Sequence, residues 1–233
     1  MYNKAYDSYK DSKGLYYLVS PEWTLARTKV IECWINTIGL NAVEYIGPTL
    51  VPTEVLSRSG HLNQFKEEIF RIEGEDLCLR PETAQSLFVN LKSIRRTLKG
   101  NPLRLYQIGR SFRNERSTRD GSLRKCEFEQ LELHVIAKPD WDFVTEYTPV
   151  LNEFFSKLGL NPSWIEVQDR PHYSSKTIDF YVQGVEVGCI NYRGQHDLWA
   201  LSQKERANLC VYEISLGLDR LVHFADRLNI SSN

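Results

Sequence analysis

Apolar and polar positions alternate along this chain with two different periods, and the changes of period mark its elements. Over residues 22–38, Trp23, Ala26, Val30, Cys33, Trp34 and Ile38 recur at helical spacing, and Gly39 stands where the helix would end. Val43 and Tyr45, punctuated by Pro48 and Pro52, predict a strand running into a bend. Pro81 suits a helix start, and Thr83 to Arg96 continue with Ala84, Leu87, Phe88, Leu91 and Ile94 on one face. Residues 104–113 and 126–136 predict two strands joined by a polar connection, and residues 141–159 an amphipathic helix. Thr177–Val182 and Val185–Ile190 flank a turn at Gln183–Gly184, the pattern of a hairpin. Cys210–Ser215 predicts a strand and Leu218–Leu228 the closing helix. Strands that cluster in hairpin-connected runs favour an α+β fold, an antiparallel sheet flanked by helices.

The 233 residues, 42% hydrophobic and 25% charged, suffice for one packed domain over 1–233. A net charge of -1 argues against coating nucleic acid by bulk electrostatics, while leaving room for a local basic patch. No apolar run approaches membrane-spanning length, and the polar start, Met1 to Gly14, has no signal-peptide core, so a cytoplasmic protein is expected. Cys33, Cys78, Cys126, Cys189 and Cys210 are scattered without paired spacing, the pattern of reduced, buried thiols, and no metal-ligand set is expected. Neither a P-loop nor a dinucleotide-binding glycine fingerprint occurs, so any ATP would be held by side chains.

Chemistry concentrates in residues 107–132. Alternation sets Arg113 with Gln107, Gly109 and Ser111, and sets Phe128, Gln130, Glu132 and His134 opposite a leucine face that must be core. Phe128, Gln130 and Glu132 are therefore expected to look outward together. Arg113, Arg116, Arg119 and Arg124 supply forked donors suited to phosphate, although a solvated hairpin would carry the same charges. In the last strand Glu213, Ser215 and Gly217 share a face, with Asp219 and Arg220 opening the helix; Ser215 and Asp219 could equally be helix caps.

Three segments in order resemble the signature motifs of class II aminoacyl-tRNA synthetases. Residues 27–52 are similar to the dimer-forming first motif, FRNE at 112–115 followed by RKCEF at 124–128 to the second, and SLGLDR at 215–220 to the third. LRPETAQSLFVN at 79–90, SGH at 59–61 and HYSSKTIDF at 172–180 resemble the homodimeric glycyl-tRNA synthetases in particular. The resemblance implies a ligase that activates a small amino acid, glycine foremost, as its adenylate and transfers it to tRNA. It assigns ATP to Arg113, Glu115, Arg124, Phe128 and Arg220, with the adenine between Phe128 and Arg220. Arg113 and Arg220 would be the catalytic pair, with Mg²⁺ accompanying the phosphates. Glu82, Glu132, Arg193, Glu213 and Ser215 would surround the amino acid, while Glu186 reads as an exposed hairpin position. The loop Ser117–Ser122 would meet the acceptor end, and a homodimer is implied.

Departures are visible too. Ser86 stands where those enzymes carry glycine and Cys126 where many carry a second arginine, and no anticodon-binding domain is expected after the third motif. Two alternatives thus accompany the ligase reading: a paralogue loading a carrier protein or small molecule, and a non-catalytic binding or dimerisation module.

Overall fold

The computed structural model describes residues 7–10, 16–98, 102–114, 123–201 and 208–229. Strands β1 (Asp7–Lys10) and β2 (Tyr16–Val19) form an antiparallel pair ahead of helix α1 (Pro21–Asn36). The Ser20 hydroxyl caps α1 by accepting the Trp23 N–H at 3.2 Å, and Pro21 occupies the first turn, where its missing donor costs nothing. The helix ends at Asn36, just before the expected Ile38, with the Gly39 N–H closing on the Trp34 carbonyl at 2.9 Å. Strands β3 (Val43–Glu44) and β4 (Leu50–Pro52), the short helices α2 (Thr53–Arg58) and α3 (His61–Gln64), and β5 (Leu77–Leu79) lead into α4 (Ala84–Thr97). The two long strands follow as β6 (Leu103–Phe112) and β7 (Glu127–Ala137), then α5 (Phe143–Lys157) and β8 (Ser163–Val167). The hairpin is β9 (Thr177–Val182) with β10 (Val185–Gly194); α6 (His196–Ala200), β11 (Cys210–Gly217) and α7 (Leu218–Asn229) complete the order.

Seven strands form the central sheet in the order β3-β6-β7-β11-β10-β9-β8, antiparallel throughout except for the β3–β6 pair. The predicted α+β architecture is therefore the observed one. Gln183 and Gly184 both adopt positive φ, 51° and 79°, which is what a two-residue turn matching strand twist requires. β10 and β11 run beyond their expected ends, to Gly194 and Gly217.

One face of the sheet carries Leu131, Leu133, Val135, Ile190, Ile214 and Leu216 into the main core. Trp34 of α1, Phe154 of α5 and Leu221 of α7 close over them. The other face is divided. At one end α4 lays Ala84, Leu87, Phe88 and Leu91 against Leu105 and Ile136, forming a second core. At the other end no helix among the described residues covers it, and a cavity opens. Phe128, Gln130 and Glu132 share the face that borders this cavity, as expected, but two of the three are sunk beneath it. Gln130 and Glu132 are buried, as is His134, whose ring meets Phe88 of α4 edge-on at 5.4 Å. Among the described residues, no helix is long and apolar enough to cross a membrane.

Trp34 is fully buried and meets Phe154 edge-on at 6.0 Å, so truncation removes the contact between α1 and α5 at the centre of the main core. Trp34→Ala is expected to lower unfolding free energy by about 3–5 kcal/mol, read from the shift of a urea-unfolding midpoint.

Candidate functional site

Strand register assembles the site. Gln107, Glu132, Ser215, Cys189 and Asp179 are successive partners across β6, β7, β11, β10 and β9, so they form one row over the sheet. His134, Glu213, Asn191 and Thr177 form the next row. Four of these strands, β7, β11, β10 and β9, thereby direct polar groups to the uncovered end of one face, beneath a cavity of about 350 Å³.

The β10 strand contributes more than simple alternation allows. Glu186 and Cys189 are three residues apart and would face opposite ways in a regular strand. A bulge between Glu186 and Gly188 rephases the strand, so Glu186, Cys189 and Asn191 all line the cavity. Gly188 lies against the Ser215 carbonyl and Leu216, and a side chain there would collide with both. Glu186 is thus a wall residue, where the sequence reading had an exposed hairpin position.

At the acidic end, Arg193 is fully buried and holds three carboxylates. Its guanidinium donates to Asp197 at 2.6 and 3.2 Å, to Glu213 at 2.9 Å and to Glu82 at 2.9 Å, while the Tyr173 ring stacks 3.7 Å from its centre. Burial opposes that charge, yet Asp197, Glu213 and Glu82 raise its pKa well above the ordinary value. Burial alone would raise Glu82, but the charge of Arg193 and the contact with His61 hold it well below the usual carboxylate range. Glu213 is likewise lowered against its burial by Arg193 and by the His134 bond at 3.0 Å, and it accepts from Asn191 at 2.7 Å.

Glu132 differs. It receives hydroxyl donors from Thr83 and from Ser215, and burial together with the negative charge of Glu213 pushes it up to about 7. Glu132, His134 and Glu213 bring ligand atoms within 4.8 Å of one another, but Arg193, Asn191 and Thr83 already occupy their oxygens. The group is a negatively biased cage open to a small cation, and not a metal-ligand set.

The opposite end is cationic and aromatic. Arg113, Arg124 and Arg220 line the cavity with Phe128. Arg113 lies 4.9 Å from the Phe65 ring and 5.4 Å from the Phe128 ring, its Nε donating to the Pro81 carbonyl at 3.1 Å. Arg220 donates to the Glu186 carbonyl at 2.7 Å and pairs with the Glu186 carboxylate at 3.3 Å. Neither expected cap forms: Asp219 accepts the Glu129 N–H at 3.0 Å and Lys125 at 2.7 Å, while Ser215 bridges Gln130 and Glu132.

Of the residues expected around ligands, Glu82, Arg113, Arg124, Phe128, Glu132, Glu213, Ser215 and Arg220 meet at this one cavity. Arg193 does not line it. The side chain stands behind the wall, where it fixes Glu82 and Glu213, because three buried acids demand a buried counter-charge. Glu115, Arg116, Arg119 and the loop 117–122 lie outside the described residues. Residues with no assigned role in the sequence reading also enter: Tyr173 donates to Glu82 at 3.0 Å, and Thr177 to Asn191 at 2.7 Å. Asp197, the Arg193 anchor, is four residues downstream across a strand-to-helix corner, a spacing that signals pairing only once the corner is known.

Two outcomes test this electrostatic arrangement. Arg193→Met is expected to cost about 3–5 kcal/mol in urea unfolding, since it strands buried carboxylates. The pH dependence of Glu132 has a definite sign. Its folded pKa lies above the ordinary 4.5, so its stabilisation is full below 4.5 and is lost as pH rises through about 7. Glu132→Gln resembles the protonated form, so its melting temperature relative to the parent is expected to climb from about pH 5 to pH 8. Glu82 and Glu213, shifted downward, lose their contribution at acid pH in both proteins and cancel in the difference.

Comparison with known proteins gives a consistent result. Residues 65–223 match the family described as tRNA synthetase class II core domain (G, H, P, S and T). Glycine--tRNA ligase of Geobacillus thermodenitrificans (strain NG80-2) is 37% identical over 163 residues, 65% of this chain and 32% of that protein. The ligase of the same description from Ureaplasma urealyticum serovar 10 is 33% identical over 171 residues, 62% of this chain and 36% of that one. Giardia lamblia prolyl-tRNA synthetase, solved in complex with prolyl-adenylate, shares the fold with a TM-score of 0.78 at 19% identity, over 95% of this chain and 49% of its own. The chain thus spans about a third of the length of the curated relatives it matches.

Proposed function

This chain belongs to the class II tRNA synthetase core-domain family, and on that premise we propose that its cavity joins glycine to ATP as glycyl-adenylate and passes the glycyl group to tRNA. The observation that carries this reading is the charge division of one cavity. Glu82, Glu132 and Glu213 border one end, Arg113, Arg124 and Arg220 line the other, and Phe128 offers a flat apolar surface between polar groups. An amino acid and a nucleoside triphosphate present the complementary pair, an ammonium at one end and phosphates at the other.

Glu132 and Ser215 would receive the ammonium. The bound cation favours ionised Glu132, so amino-acid affinity would weaken as pH falls below about 7. Glu82 and Glu213, immobilised by Arg193, would set the depth of the seat and exclude a side chain by rigidity. Rigidity is needed, because one methyl group is worth only about 1–3 kcal/mol in a pocket. Arg113 and Arg220 would act on the reacting groups, Arg113 spanning the α-phosphate and the amino-acid carboxylate, with Phe128 and the Arg220 stem enclosing the adenine. Arg124 and Arg220 would neutralise the outer phosphates and Glu115 would meet the adenine edge. A carboxylate oxygen then attacks the α-phosphorus and pyrophosphate leaves with its electron pair. Both reactants are anions, so positioning and charge neutralisation matter more than a general base.

Mg²⁺ would accompany the phosphates, with Glu186 exchanging its Arg220 partner and Asp179 its Tyr181 hydroxyl for the ion. Asp179 and Glu186 offer hard oxygen donors on the wall, and burial and the Glu186 charge raise the Asp179 pKa, a repulsion that a divalent cation would relieve. The ion would neutralise phosphate charge. The tRNA acceptor is drawn from the glycine--tRNA ligases that the chain resembles. A homodimer is supported by exposed Leu40, Val43, Ile46 and Leu50 on and around edge strand β3, a patch that a second copy would cover.

ATP–pyrophosphate exchange across the twenty amino acids tests the reading, with labelled glycine then offered to bulk tRNA. Exchange is expected with glycine and not with alanine or serine, and Arg113→Ala is expected to reduce it by about 10²–10³-fold. Exchange with alanine or serine but not glycine would overturn the pocket assignment. Adenylation without tRNA labelling would move the acceptor to a carrier protein or small molecule, and no exchange at all would favour a binding module.

A further inference from the structure

The cavity wall carries, besides Arg113, Arg124 and Arg220, two cations given no role so far, Arg170 and Lys125. Lys125 lies on that wall, only partly exposed, with its Nζ 2.7 Å from Asp219 Oδ1. The other Asp219 oxygen, Oδ2, accepts the Glu129 N–H at 3.0 Å, extending the β7–β11 ladder by one bond beyond its last pair, Gly217 with Gln130. Glu129 in turn holds Arg27 of α1 through two bonds, at 2.7 and 2.5 Å. The charge of Asp219 reaches Arg27 as well, since it adds to the Glu129 bond in raising the Arg27 pKa.

Asp219 is therefore supported from three sides besides Lys125: by a backbone amide, by the field of Arg27, and by its position in the first turn of α7, where a helix favours negative charge. Lys125 can leave it without stranding a carboxylate. Lysine suits such an exchange, being a compact charge on a flexible four-carbon stem with three donors. The neighbouring Cys126 is buried and adds no charge-bearing side chain to the wall. Lys125 adds its positive charge to this stretch of wall next to Arg124.

We propose that Lys125 is a further polyphosphate-binding residue, exchanging its Asp219 partner for the phosphate chain of a bound nucleotide. Its partner is any ligand presenting two or more linked phosphates, and a monophosphate does not reach it. The proposal rests on the reading of this cavity as a nucleotide site, and its test separates the two.

Calorimetric titration of the protein with ATP, AMP and inorganic tripolyphosphate, for the parent, Lys125→Gln and Lys125→Arg, supplies the test. Lys125→Gln is expected to weaken ATP and tripolyphosphate about tenfold and leave AMP within about twofold, with Lys125→Arg restoring most of the loss. Melting temperatures of all three proteins check that the fold is intact. Equal weakening of AMP and ATP by Lys125→Gln, together with a lowered melting temperature, would show a purely structural ion pair and overturn the proposal. Unchanged ATP affinity in Lys125→Gln would overturn it while leaving the nucleotide site standing. Failure of the parent protein to bind ATP would remove both.

Discussion

The burial of one guanidinium among three carboxylates is the constraint from which the rest of this structure follows. Arg193 meets Asp197, Glu213 and Glu82 with no access to solvent. Removing such charges from water is expensive, and mutual attraction offsets the cost only when every donor is used. Here Nε and both terminal nitrogens are engaged, and Tyr173 covers the plane. With those acids fixed, Glu132 is held by the Thr83 and Ser215 hydroxyls and, among the described residues, bonds no guanidinium. That imbalance biases the cavity toward a small cation. Rigidity and charge bias thus come from the same residue, although Arg193 itself never faces the cavity.

Sheet topology carries this constraint to the ligand end. The antiparallel order aligns Glu132, Ser215 and Cys189 across three strands, and the adjoining row aligns His134, Glu213 and Asn191. Because side chains alternate, the same strands that send Leu131, Leu133 and Ile214 into the main core must present these polar groups opposite. Helix α4 then decides which polar positions are sealed and which remain open. It covers His134 through Phe88 and stops short of Phe128, which borders the cavity. The bulge in β10 adds Glu186 to the wall and sets it against Arg220.

Much of this was legible in the sequence, for identifiable reasons. The periodic apolar positions of α1 and α4, the turn chemistry of Gln183–Gly184 and the alternation in β7 are local signals, and each element formed where they point. The arginines and acids of the cavity were legible through motif resemblance, since spacing alone was equally compatible with a solvated hairpin. Tertiary packing hid the remainder. Alternation cannot say whether a polar face meets solvent or a helix, so Gln130 and Glu132 were expected outward and are buried. A bulge shifts phase by one residue without a decisive sequence mark, which concealed Glu186. Arg193 was expected at the ligand from the motif resemblance, and its buried partner Asp197 lies beyond a corner that only the fold reveals.

The central claim is that Arg193 arranges the acids so that Glu132 and Ser215 present an unmet demand for an ammonium group. A crystal structure of the protein with a non-hydrolysable glycyl-adenylate analogue measures this most directly. The account predicts the glycyl ammonium within hydrogen-bonding distance of Glu132 and Ser215, with Arg193 unmoved on Asp197. An analogue bound with its ammonium away from Glu132, or with Arg193 swung into the cavity to meet it, would contradict the account.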